Sequence, residues 1–263
     1  MNSHLVVVVA IFMAIVVACG GSGEKQVSPA LRAAALTTPE ATAVAHVDTG
    51  VPLYCVTAER HTLQDITTTP SSLYFVQHPE SDGTSAPTVI FMPGGVGSRN
   101  ISQRVWANYL SNGEGTDQFR LVIPYSGGID LIDDATRVFG ILDEALACYG
   151  GDPSRVHIAG ISNGGLAAYA LMLASPDRFA TLLGAPGAFP TQDLELLSDA
   201  LSGKRVFNGV GEADIGWMTG VKATHDQLVA LGVDSRYVEF ASQTHQVTPE
   251  FDEGVFFEFW LEE

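Results

Sequence analysis

Six consecutive residues, Gly160-Ile161-Ser162-Asn163-Gly164-Gly165, carry the strongest chemical signal in the chain. They match G-x-S-x-G, a tight strand-to-helix bend that pushes a Ser hydroxyl out where a substrate can reach it. Glycines two places before and two after are required because side chains there would collide with the adjoining strand and helix. A Ser so placed attacks an acyl carbon. The N–H of the next residue, Asn163, and the positive end of the following helix then face the charge that develops on the acyl oxygen. The bland alternative is a glycine-rich turn with an incidental Ser. A strand pattern before the motif and a helix pattern after it argue against that.

A neutral hydroxyl is a weak nucleophile and needs a base, which in turn needs an orienting acid. At an elbow of this kind the two follow the Ser in the order acid, then His. Only His225 and His245 lie downstream. His225 falls within a helical pattern over residues 221–231, as a surface or packing residue. His245 sits in the polar run Ser242-Gln243-Thr244-His245-Gln246, directly after a strand pattern ending at Phe240, and is the base by elimination and by position. For the acid, Glu212 and Asp214 both follow a strand pattern over 205–210; Asp214 is the first choice and Glu212 its closest rival. A helix cap or an exposed acid is the bland reading of either. The second oxyanion donor is expected from Pro93-Gly94-Gly95, after the strand pattern Thr88–Met92, with the Gly95 N–H as the candidate. Trp217, just past Asp214, is a candidate to line the substrate cleft; ordinary packing is the alternative.

These residues need a scaffold that brings distant loops to one edge. Short apolar runs at 51–57, 72–77, 88–92, 120–124, 155–159, 180–184, 205–210 and 236–240 predict strands. Helical spacing over 129–149, 164–174, 193–201, 221–231 and 252–261 predicts helices between the later ones. That alternation implies an α/β fold: a mostly parallel sheet covered on both faces, with an antiparallel edge at the N-terminal side.

Composition agrees with one such domain. The chain has 263 residues, 46% of them hydrophobic and 16% charged, which supports a large core. Thirty acids against 13 bases give a net charge of -17, which repels nucleic acid and anionic lipid headgroups. No metal or organic cofactor is implied, and a monomer is expected. Residues 5–18 are a run of fourteen apolar residues, about 21 Å as a helix and short of a roughly 30 Å bilayer core. The run suits a signal peptide over 1–19. It ends in Val16-Val17-Ala18-Cys19, resembling the lipobox of bacterial lipoproteins, although Met1-Asn2-Ser3-His4 lacks the usual Lys or Arg. Cys19 is therefore a lipidation candidate. The alternatives are an ordinary cleaved signal or an uncleaved anchor. Either way the chain is expected to be exported, with residues 20–50 as a flexible tether and 51–263 as the catalytic domain. Cys55 and Cys148 then form one disulfide, or stay as two separate buried thiols.

From Asp152 to Gly187 the run DPSRVHIAGISNGGLAAYALMLASPDRFATLLGAPG resembles the polyhydroxybutyrate-depolymerase and feruloyl-esterase group of the α/β-hydrolases. The likeness implies an α/β-hydrolase fold, and short inserts between the core elements leave little room for a large cap domain. It also implies serine hydrolysis of carboxylic esters, with Ser162, Asp214 and His245 where that group places its triad. Two departures stand out. Pro93-Gly94 replaces the group's usual His-Gly, and Thr244 stands where a Gly usually precedes the His. An open cleft suited to bulky or polymeric esters is expected. The rival readings are an exported peptidase or thioesterase with the same triad, and an inactive hydrolase-fold binding module.

Overall fold

The structure, a computed structural model, describes residues 55–57, 59–60, 62–70, 72–80, 85–126, 131, 134–187 and 193–262. The expected signal peptide over 1–19, the lipidation candidate Cys19 and the expected tether over 20–50 lie outside the described residues. Among the described residues eight strands form one sheet: β1 (Gln64–Thr69), β2 (Ser72–Gln77), β3 (Thr88–Met92), β4 (Arg120–Pro124), β5 (Val156–Gly160), β6 (Thr181–Gly184), β7 (Arg205–Gly211) and β8 (Asp234–Phe240). Their order is β1-β2-β4-β3-β5-β6-β7-β8. β1 and β2 pair antiparallel, as do β2 and β4, and every later pairing is parallel. β3, β4, β5 and β6 are buried along their whole length, because helices cover both faces of the sheet.

The helices are α1 (Arg99–Tyr109), α2 (Ala135–Tyr149), α3 (Asn163–Ala174), α4 (Leu194–Leu201), α5 (Ile215–Ala230) and α6 (Gly254–Leu261). Alternation along β3 shows how the layers divide. Ile90 and Met92 point into a core shared with α2, α3 and α4. Val89 and Phe91 point into the opposite core, filled by Val105 and Tyr109 of α1 and by Phe256, Phe257 and Trp260 of α6. At about 1.5–3 kcal/mol for each large apolar side chain removed from water, these two layers dominate the stability.

Three sequence expectations change. The apolar run at 51–57 is not an edge strand in its described part, since residues 55–57 have no regular structure and the edge is β1. β1 reads QDITTT and buries only Ile66 fully, so its alternation carries a single apolar signal. Its place comes from pairing with β2, Ile66 opposite Tyr74. The helix expected over 129–149 occupies Ala135–Tyr149, where the Asp134 carboxylate caps it by accepting from the Arg137 N–H at 3.0 Å. α1 has no counterpart among the expected helices. Its buried stripe includes Ser102, whose hydroxyl donates to the Pro124 carbonyl at 2.8 Å, and a polar residue in the stripe masks the period. Cys55 and Cys148, with Cα atoms 5.2 Å apart, are joined by a disulfide.

Candidate active site

β5 delivers the elbow. Its last residue, Gly160, lies so close to α3 that an added Cβ would meet the Gly164 carbonyl oxygen at 2.2 Å. Gly164 in turn approaches β3, where a Cβ would meet the Met92 oxygen at 2.1 Å. Both contacts are with backbone, which has no room to yield. Between them Ser162 sits at φ 56°, ψ -126°, a conformation that costs a residue with a Cβ energy. Bonds on both sides hold the bend: the Ser162 N–H donates to the Pro186 carbonyl at 2.7 Å, and the Gly164 N–H to that of Ile161 at 2.8 Å.

His245 arrives from the loop after β8 and Asp214 from the loop after β7. The two loops are laced together. The Ala213 N–H donates to the Gln243 carbonyl at 2.9 Å, and the Glu212 N–H to that of Phe240 at 3.0 Å. Gly211 leaves space for this lacing, because a Cβ there would strike the Thr244 oxygen at 2.4 Å. Further bonds fix the His loop from the other side. The Gln243 side-chain oxygen accepts from the Thr248 N–H at 2.7 Å, and the Tyr109 hydroxyl accepts from the Val247 N–H at 3.3 Å.

The result is a continuous chain of hydrogen bonds. Asp214 Oδ2 lies 2.7 Å from His245 Nδ1, and His245 Nε2 lies 3.0 Å from Ser162 Oγ. Asp214 is buried and the imidazole is 39% exposed, so the carboxylate is shielded while the ring reaches solvent. Asp214 holds the N-cap position of α5 but makes no side-chain cap bond; its carboxylate is spent on the imidazole. Glu212 serves elsewhere: its Oε2 accepts from the N–H of Ser242, a residue held at φ 60°. The other downstream imidazole, His225, pairs with the Ser235 hydroxyl at 2.8 Å and stacks on Tyr237, remote from the elbow in sequence and contacts.

Gly95 reaches the elbow from the turn after β3, at φ 58°. The Asn163 side-chain amide donates to the Gly95 carbonyl at 3.2 Å, and the Gly97 N–H donates to that of Gly94 at 3.1 Å. Together these orient the peptides on either side of Gly95. The sequence points to Asn163 only through its backbone N–H; its side-chain contact with Gly95 joins loops that spacing along the chain does not relate. Trp217 is corrected as a cleft residue. It is 5% exposed, packed in a small buried cluster with Val210 and Val221, and its ring stacks on His245. Among the described residues no group of three or more His, Cys, Asp or Glu is placed to hold a metal ion.

No protein-family model and no curated protein matches the chain. Solved structures do. FphF, a fluorophosphonate-binding serine hydrolase of Staphylococcus aureus, superposes with a TM-score of 0.57 at 13% identity, over 73% of this chain and 93% of that one. The fold is that of the α/β-hydrolases. A feruloyl esterase module from Clostridium thermocellum gives 0.57 at 12% identity, over 77% and 93%. A dipeptidyl aminopeptidase IV-like protein from Bacteroides ovatus gives 0.58 at 14% identity, over 75% of this chain and 34% of that one.

Proposed function

We propose that this protein is an exported serine hydrolase that cleaves carboxylic esters through Ser162, His245 and Asp214. One observation carries the reading: the unbroken Asp214–His245–Ser162 hydrogen-bond chain, 2.7 and 3.0 Å, ending on a Ser held in a strained bend. His245 Nε2 takes the Ser162 proton as Oγ bonds to the acyl carbon. The N–H groups of Asn163 and Gly95 hold the oxyanion. The imidazolium, stabilised by Asp214, then gives its proton to the departing alcohol and leaves an acyl-enzyme. Water, deprotonated by His245, releases the acid and restores the Ser.

The polyhydroxybutyrate-depolymerase and feruloyl-esterase resemblance, and the esterase among the structural neighbours, favour carboxylic esters over other acyl bonds. The chain spans nearly the whole of the esterase and hydrolase neighbours but a third of the peptidase-like one, which ranks a peptidase second. Export draws support from the apolar leader before Cys19 and from the Cys55–Cys148 disulfide, a bond that persists in oxidising compartments. Purified protein is expected to hydrolyse p-nitrophenyl acetate and to label with a fluorophosphonate probe, and Ser162→Ala is expected to do neither. Wild-type turnover by S162A would overturn the proposal. A panel of feruloyl, acetyl-xylan, hydroxybutyrate and thio esters with aminoacyl amides ranks the substrates. A mature protein whose mass shows an unmodified Cys19 would exclude the lipoprotein form.

A further inference from the structure

Two hydrogen bonds hold the His245 ring, one at each nitrogen. Bonds at two points leave the ring free to tilt about the line that joins them, and each tilt swings the Nε2 lone pair away from the Ser162 hydroxyl that donates to it. A flat surface against the ring face removes that freedom. Trp217 provides one: its ring centroid lies 5.5 Å from that of His245 at an interplanar angle of 28°. The indole does not move easily, since it is buried with Val210 and Val221 and packed by Leu166, Met218 and Tyr237. It is also tied to the acid. Asp214 caps α5, and the Trp217 N–H donates to the Asp214 carbonyl at 3.0 Å. Acid and platform therefore stand one helical turn apart on one rigid element and grip the same ring at its edge and its face.

Resting on the reading of Ser162 and His245 given above, we infer that Trp217 is a positioning residue: its stacked indole fixes the tilt of the His245 imidazole and favours the imidazolium formed as Ser162 attacks. The electron-rich indole face attracts a cation within about 6 Å of its centroid. That attraction exists only once the proton has moved, so it acts on the transition state and on kcat, not on substrate binding.

The test compares Trp217→Leu, which fills the space without a ring face, with Trp217→Phe, which restores one. In W217L, kcat for p-nitrophenyl acetate is expected to fall about 10- to 100-fold, in the range that small misplacements of a catalytic group produce, with KM little changed. The fluorophosphonate labelling rate should fall in parallel. W217F is expected to recover most of both. W217L with wild-type kcat and labelling rate, or a W217F as impaired as W217L, overturns the assignment while the hydrolase reading stands. A wild type that neither labels nor hydrolyses overturns both.

Discussion

Asp214 and Glu212 are two residues apart, chemically alike, and the structure gives them different work. Asp214 is buried against His245, whereas exposed Glu212 binds the Ser242 N–H. Asp214→Asn is expected to leave the fold intact and lower kcat by about 10⁴-fold, because an amide favours the wrong imidazole tautomer and cannot stabilise its cation. Glu212→Gln keeps an acceptor for Ser242 and should change kcat by less than about tenfold. Steady-state kinetics on both variants separates the two roles. Asn163→Ala keeps the backbone donor and removes only the 3.2 Å bond to the Gly95 carbonyl. Its kcat should fall by less than the hundredfold or more that follows loss of an oxyanion donor, with KM nearly constant.

At the scale of elements, the site depends on loops from β3, β5, β7 and β8 arriving at one edge and being locked there. Gly211 is the tightest joint between the acid and base loops, with backbone of Thr244 at 2.4 Å from any added Cβ. Gly211→Ala is expected to push His245 off the Ser162 oxygen and cost about a hundredfold in kcat while circular dichroism stays native. α6 tests the opposite layer. Phe256 is fully buried against Phe207, Phe240 and Trp260. Phe256→Ala should lower unfolding free energy by about 3–5 kcal/mol in denaturant titration, by lost burial plus the cavity it leaves.

The whole molecule has its own pH response, set away from the site. Burial, and then Arg205 and Arg155, push the His157 pKa down to about 3. Burial and Arg120 push that of His78 down to about 4. In the unfolded chain both return to about 6.5. The fold therefore prefers their neutral forms. Their contribution is complete above pH 6.5 and is lost as pH falls from there towards 4 and below. The thermal midpoint should drop over that window, and His157→Asn, which retains a partner for the Thr181 hydroxyl, should flatten the decline. The Cys55–Cys148 bridge spans 93 residues and is worth about 4.6 kcal/mol on the loop-entropy view. Reduction should lower the midpoint measurably.

Local chemistry was written in the chain. The G-x-S-x-G elbow, the one His downstream of it in a post-strand loop, the alternation of strands with helices and the turn glycines near β3 all declare themselves within a few residues, because sterics and hydrophobic period act over that range. β1 and α1 did not, since one buried Ile and a polar residue in the buried stripe leave no period to read. Neither did the choice between two nearby carboxylates, the union of Cys55 with Cys148, the grip of Asn163 on Gly95, or the placing of Trp217 on His245. Each of these joins residues whose separation in space is set by the packed sheet and its loops, and spacing along a chain carries no measure of that distance.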